Sequence, residues 1–289
     1  MTKISDLTSL LGRAKKYLAV NKSMRELRNR NKTSDQSLLC EAGPVVSLTT
    51  HGLRLQTVYY AIESIGRGEL RPSRLILWID ERDARKPRPP ELARLVARGL
   101  EILTTSNYGP HTKYFPYVQS RDRHTTALVT ADDDVIYPID WLSRLNAAHN
   151  SRPDLIRAMK VRRVELLSNG FAPYTTWKAV ASVDASVLNL ALGVSGVIYP
   201  PAFLEELHVA GDSFRLVSPR ADDIWLHAVA VRTGFLVAQV SASPEGYPTV
   251  RGTFETSLMK TNVLDNQNDP QIQATYTVAD IERLGQPSA

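Results

Sequence analysis

Four short apolar runs constrain this chain more than any other feature. Val45-Val46-Ser47-Leu48-Thr49-Thr50, Arg74-Leu75-Ile76-Leu77-Trp78-Ile79-Asp80, Leu100 to Leu103 and Thr126-Ala127-Leu128-Val129-Thr130 are mostly apolar without clean alternation. A strand with one wet face alternates, whereas a strand covered on both faces does not, and parallel sheets are built from the second kind. Helix-sized stretches separate the runs, one from about Leu55 to Ile65 and one from about Glu91 to Ala97. Pro87, Pro89 and Pro90 hold the chain extended just before the second of these. This order predicts an α/β domain with a mostly parallel central sheet flanked by helices.

A chain of 289 residues with 43% hydrophobic content can bury one such core and carry appendages. No run approaches the roughly 18 apolar residues of a membrane span, and the N-terminus lacks a signal-peptide core. A cytoplasmic protein is therefore expected. Cys40 is the only cysteine, which excludes an intrachain disulfide and a cysteine-rich zinc site and agrees with a reducing compartment. The formal net charge is +5, but residues 1–32 alone hold nine Lys or Arg against Asp6 and Glu26. The remainder is slightly acidic, so the charge does not describe a nucleic-acid surface. Within the basic leader Ile4, Leu7, Leu10, Leu11, Ala14 and Leu18 recur at helical spacing. Such a helix fits an anionic membrane surface, the protein's own core or a second subunit of a homo-oligomer. Asn29 to Ser37 reads as a polar linker. The expected division is a leader and linker over 1–43, a main domain over 44–246 and a C-terminal extension over 247–289.

The fourth run leads straight into Asp132-Asp133-Asp134. On an extended continuation Asp132 and Asp134 share one face and Asp133 points away. Two converging carboxylates suit magnesium or manganese, which take phosphate oxygens and waters as further ligands. Aspartates are also ordinary turn and cap residues, yet three charges at the end of a buried strand are costly without a counterion. Val135-Ile136-Tyr137-Pro138 then leaves the strand, and Asp140-Trp141-Leu142 opens a helical segment running to about His149. Ligands of open α/β sheets bind beyond the carboxyl ends of the strands, where this order leaves the triplet.

Beyond it, Leu155 to Leu167 reads as a strand with a basic face formed by Arg157, Lys160, Arg162 and Arg163. Tyr174 and Trp177 sit in a polar loop, where their rings suit either a sugar or the core. Gly193-Val194-Ser195-Gly196-Val197-Ile198-Tyr199-Pro200-Pro201 allows tight bends or close ligand approach. Ser218-Pro219-Arg220-Ala221-Asp222-Asp223-Ile224-Trp225-Leu226 opens a helix that ends at Thr233-Gly234, with its two aspartates in the first turn.

The triplet with Tyr137-Pro138 and Trp141-Leu142, the loop Asn107-Tyr108-Gly109-Pro110-His111-Thr112-Lys113, the Gly193 to Pro201 segment and the late acidic pair together resemble the GT-A-fold glycosyltransferases. The likeness is to small family-two-like bacterial enzymes of capsule and lipopolysaccharide assembly and covers roughly Val45 to Gly234. It implies a metal-dependent, inverting transfer of a sugar from a nucleotide-sugar donor, UDP-linked by preference, to a glycan, lipid-linked or protein acceptor. The half to Pro138 then holds the nucleotide and the half beyond it the acceptor.

By the same resemblance Thr49, Thr50, His51 and Asp80 contact base and ribose, Lys113 the phosphates, and Asp132 and Asp133 the donor. Asp134 with Asp132 holds Mn2+ or Mg2+. Gly193, Ser195 and Gly196 line the pocket where donor and acceptor meet, with Trp177 and Trp225 on the sugar side. Asp223, with Asp222 beside it, is the general base, kept ionised by the helix N-terminus. The chain lacks a histidine after His227, so a further metal ligand falls to His227, to another carboxylate, to water or to the stretch Lys260 to Asn262. Two alternatives stand beside this reading. A sugar nucleotidyltransferase needs a glycine-rich basic loop after the first strand, which Thr49-Thr50-His51-Gly52 matches poorly. A non-catalytic glycan-binding protein on the same fold needs no acids at all. The catalytic reading requires the triplet and the late pair to border one cleft.

Overall fold

The computed structural model describes residues 2–168, 170–253 and 266–286. Among the described residues a seven-stranded sheet is built from β1 (Val45–Thr49), β2 (Arg74–Asp80), β3 (Leu100–Thr105), β4 (Leu128–Ala131), β5 (Ile156–Ala158), β6 (Val197–Tyr199) and β7 (Val237–Gln239). Their order is β7-β5-β6-β4-β1-β2-β3. Every neighbouring pair is parallel except those made by β6, which runs antiparallel to β4 and β5. Val45 of β1 lies level with Arg74 and with Leu128. The segments that follow β1, β2 and β4 therefore emerge at one carboxyl edge.

Adjacent residues of each strand feed opposite layers, which is why the runs do not alternate. Val46, Leu48, Leu75, Leu77 and Val129 join a buried cluster with Ile62 and Ile65 of α2 (Tyr59–Gly66) and Leu145 of α3 (Trp141–Ser151). Val45, Ile76, Leu128 and Val197 face the other layer, with Phe203, Phe214 and Leu226. Full burial of each such side chain contributes about 1.5–3 kcal/mol.

The leader is a helix, α1 (Thr2–Thr33), and its last turns belong to the first of these layers. Leu27 is buried in it, with Val20 and Met24 packed against it. The linker expected from Asn29 is instead helix as far as Thr33. Its polar residues serve a buried acid: Glu63 is fully buried, accepts hydrogen bonds from Asn31 (3.1 Å) and Arg98 (2.5 Å) and pairs with Arg30 (3.3 Å). A buried carboxylate is tolerable only with such partners. Farther back, Tyr17 and Leu18 are exposed. No helix among the described residues is long and apolar enough to cross a membrane.

The basic strand expected over Leu155 to Leu167 is broken into three. β5 stays in the central sheet, Val161–Arg163 pairs with Asn189–Ala191, and Leu166–Leu167 pairs with Gly170–Phe171. Arg157 and Arg162 therefore belong to different sheets. Late in the chain α4 (Asp222–Thr233) is backed by α5 (Asn268–Thr275) and α6 (Val278–Gly285). Ile224, Ala228 and Val231 of α4 pack with Ile272, Tyr276 and Leu284, and Arg232 pairs with the nearly fully buried Asp280 (2.8 Å).

Candidate active site

β4 ends at Ala131, so the acidic triplet lies in the turn beyond it rather than on extended chain. The Asp132 amide donates to the Tyr137 hydroxyl (2.8 Å) and the Tyr137 amide donates to the Ser64 hydroxyl (3.0 Å), which anchors the turn to α2. This changes how the acids pair. Asp133 and Asp134 share one cation, Arg54, whose Nη1 lies 2.5 Å from Asp133 Oδ1 and whose Nη2 lies 3.1 Å from Asp134 Oδ2. Asp132 turns to another, Lys113 Nζ at 3.0 Å. The alternation expected along the triplet fails because a turn does not alternate.

Asp133 is 5% exposed and also accepts a hydrogen bond from the Thr50 hydroxyl (2.6 Å). It is an internal anchor with both oxygens used, and the donor contact expected of Asp133 and of the Thr50 hydroxyl is corrected accordingly. Burial pushes the Asp134 carboxyl up to about 6 even though Arg54 opposes it, the charges of Asp132 and Asp133 adding to the rise. A strap from the late chain crosses the turn: the Ile136 amide donates to Pro248 O (2.8 Å), the Val250 amide to Asp134 O (2.6 Å), and Arg54 Nη2 to Thr253 O (3.1 Å).

The loop carrying Lys113 is fastened to the approach of α4. His111 is fully buried, stacks on Phe214 (3.8 Å), donates through Nε2 to Ser218 O (2.8 Å) and accepts at Nδ1 from the Tyr114 hydroxyl (2.9 Å). Burial lowers its pKa to about 4, which keeps the ring neutral. Gly109, at φ +61, lies so near Pro219 that a Cβ would stand 3.0 Å from its carbonyl oxygen. These contacts hold Lys113 Nζ 3.0 Å from Asp222 Oδ2 as well as 3.0 Å from Asp132 Oδ1. Asp223 Oδ1 in turn accepts the Gly193 amide (3.0 Å). The turn after β4 and the N-terminus of α4 thus meet around one ammonium.

The two late acids are driven apart. Burial works against ionisation of Asp222, but the charge and hydrogen bond of Lys113 outweigh it and hold the carboxyl below its usual range. Asp223 is pushed up to about 8, by burial first and by the charge of Asp222 next, with Lys113 opposing. The helix N-terminus does not keep Asp223 at an ordinary acid pKa as expected, because desolvation and a like charge dominate the dipole.

The remaining expected residues divide. His51 is exposed just after β1, Thr49 donates to Trp78 O (3.1 Å), and Asp80 caps the helix that follows it while also accepting from Asn107 Nδ2 (3.1 Å). Trp177 and Trp225 are corrected to core residues, 2% and 4% exposed. The Trp177 indole donates to Ala172 O (3.0 Å), and Trp225 lies edge-on to Phe214, so neither ring is free for a sugar.

Of the glycine segment only Gly193 touches the acids, where a Cβ would stand 3.1 Å from both Lys113 Nζ and Asp223 Oδ1. Ser195 is fully buried and donates to Glu245 O (2.6 Å), and Gly196 lies against the Trp141 indole. Gly196 has φ +101, and a Cβ there would come within 2.6 Å of Trp141 Nε1. Gly196→Ala should therefore cost roughly 2–4 kcal/mol, read by denaturant unfolding, and an unchanged midpoint would remove this account. His227 is corrected as a ligand, because its Nδ1 accepts from the Tyr276 hydroxyl (2.6 Å) and its Nε2 donates to Val187 O (2.8 Å). Lys260 and Asn262 lie outside the described residues.

Among the described residues no three acids or histidines converge to hold a metal by themselves. The chemistry of the turn nonetheless fits a divalent cation. Three carboxylates face Arg54 and Lys113, and Lys113 is shared with Asp222, so negative charge is in excess. Asp132 keeps a 26% exposed side chain. One or two carboxylates completed by substrate phosphates is the usual way magnesium is held. Arg54 and the strap at Thr253 were not foreseen, since one arginine in a chain with 35 Lys and Arg carries no mark in sequence.

A mostly parallel seven-stranded sheet with an antiparallel β6, an acidic turn at the end of β4 and helices on both faces is a GT-A-like fold. No protein-family model and no curated protein sequence matches the chain. Among solved structures it is similar to the mannosyltransferase PcManGT from Pyrobaculum calidifontis, in complex with GDP-Man and Mn2+, at 14% identity and TM-score 0.51 over 94% of this chain and 76% of that one. S. aureus TarS 1-349 aligns at 12% identity and TM-score 0.49 over 83% and 68%. A CMP:2-keto-3-deoxy-manno-octonic acid synthetase complexed with CTP aligns at 12% and 0.43 over 78% and 98%.

Proposed function

We propose that this protein is a metal-dependent, inverting glycosyltransferase that moves a sugar from a nucleotide-sugar donor, UDP-linked by preference, to a hydroxyl of a glycan, lipid-linked or protein acceptor. One observation carries the reading: Lys113 is shared between Asp132 and Asp222, which brings the acids of the turn and the acids of α4 to one place.

Sugar transfer separates a cationic sugar from a diphosphate while the attacking hydroxyl loses its proton. Negative charge must be stabilised on one side and a proton accepted on the other. Asp132 and Asp134 would hold Mn2+ or Mg2+, which when bound neutralises charge growing on the leaving diphosphate. Lys113 offers a point charge to the same phosphates. Asp223, adjoining Asp222 and held by the Gly193 amide, is the base. Its raised pKa makes it a stronger proton acceptor than an ordinary carboxylate near neutral pH. No covalent intermediate is needed, and the anomeric centre inverts. The GDP-Man and Mn2+ bound by PcManGT support a nucleotide sugar with a divalent ion.

Nucleotidyl transfer fits less well. The Gly52 amide, which a phosphate loop would aim at a triphosphate, donates to Asp83 Oδ2 (2.6 Å), and the Thr50 hydroxyl is spent on Asp133. Calorimetry with UDP-, GDP-, CMP- and dTDP-sugars, with and without Mn2+, tests the proposal. Binding of one nucleotide class that depends on Mn2+ is expected. Absence of binding by all four would overturn it.

A further inference from the structure

Arg54 has a place in the site that the motifs do not explain. It comes from the turn Gly52–Gln56 after β1, its side chain is 12% exposed, and its two terminal nitrogens divide between neighbouring carboxylates. Asp133 holds one of them at 2.5 Å and has Thr50 as a second partner, deep in the protein. Asp134 holds the other at the longer distance of 3.1 Å. Lys113 does the same for Asp132 at 3.0 Å. Each carboxylate suited to a divalent ion already faces a side-chain cation.

We propose that Arg54 makes divalent-cation binding conditional on the donor's diphosphate, so that the nucleotide sugar is taken up as its metal complex. The inference rests on the transferase reading and deepens it by naming the form of the substrate. Arg54 and a dication draw on the same Asp134 charge, and each weakens the other's hold. Asp133 keeps its grip on Arg54, because losing it would leave a buried carboxylate with a hydroxyl alone. The guanidinium therefore stays beside the site and opposes a bare cation. A cation that arrives with phosphate oxygens brings its own compensating charge and ligands.

The experiment is a titration of Mn2+ alone, and of Mn2+ with saturating UDP, GDP, CMP or dTDP, into the full chain, following free Mn2+ by electron paramagnetic resonance. Wild type should bind Mn2+ weakly alone and much more tightly with one nucleotide. Arg54→Gln should bind Mn2+ alone about tenfold tighter or better, because an opposing charge is gone. Arg54→Lys, whose single ammonium stays on the better-partnered Asp133, keeps the fold and should still gain several-fold. Adding Asp134→Asn to Arg54→Gln should abolish the gain.

Circular dichroism reports folding, and Arg54→Lys decides if Arg54→Gln does not fold. A folded variant whose affinity for Mn2+ alone is unchanged or weaker overturns the inference. If none of the four nucleotides binds with or without Mn2+, the transferase reading fails; if one binds but does not tighten Mn2+, this inference alone fails, so the two failures are distinguishable.

Discussion

Asp223→Asn should lower sugar transfer by about 10²- to 10⁴-fold while leaving Mn2+-dependent donor binding nearly intact. The amide oxygen of asparagine still accepts the Gly193 amide that Asp223 Oδ1 now receives at 3.0 Å, so the geometry survives and proton acceptance does not. The wild-type rate should also depend on pH in a particular direction. Burial and the neighbouring Asp222 push the Asp223 carboxyl up to about 8, so the ionised base accumulates, and transfer accelerates, as pH rises through that value. In the variant this ascending limb should vanish.

Stability moves the opposite way. An aspartate in the unfolded chain titrates near about 3.9, so between there and the raised folded value the native state binds the extra proton. The contribution of a protonated Asp223 to stability is full below the unfolded pKa and is lost as pH climbs through about 8. Wild type should therefore lose thermal stability relative to Asp223→Asn between pH 5 and pH 9. Full turnover by Asp223→Asn would remove the base assignment, whatever the stability data show.

Asp134→Ala should abolish Mn2+-dependent nucleotide binding without unfolding the protein. Arg54 keeps Asp133 and the Thr253 carbonyl as partners, so no buried charge is orphaned. Asp133→Ala is the informative control. It strips Arg54 and Thr50 of a nearly fully buried acid, and breaking such a pair costs about 3–5 kcal/mol. One adjacent position should then fail in ligand binding and the next in folding, a contrast read by calorimetry alongside urea unfolding. Equal nucleotide affinity in wild type and Asp134→Ala would count against the metal assignment.

The layout of the chain from Val45 to the acidic turn was legible because its signals are local. An apolar run without alternation at Val45, Arg74, Leu100 and Leu128 reports burial on both faces, and each became a parallel strand of the central sheet. The helix ending at Gly234 was equally plain, since that glycine takes the left-handed conformation, φ +80, that closes a helix. Resemblance supplied the rest of the candidate site and went astray where burial decides. Trp177 and Trp225 have the composition of sugar-stacking residues, yet both fill the core. Leu155 to Leu167 looks continuous, yet three different partners divide it.

By itself, then, the sequence determined an α/β architecture, the position of an acidic turn at a strand end and a second acidic pair opening a late helix, because periodicity and caps are written within a few residues. Only the tertiary structure decided which charges meet. Arg54 reaches Asp133 across 79 positions of chain, and Lys113 joins Asp132 to Asp222. Ion pairs of that kind depend on the register of β1 against β4 and on a loop pinned by His111, and neither leaves a trace in local spacing.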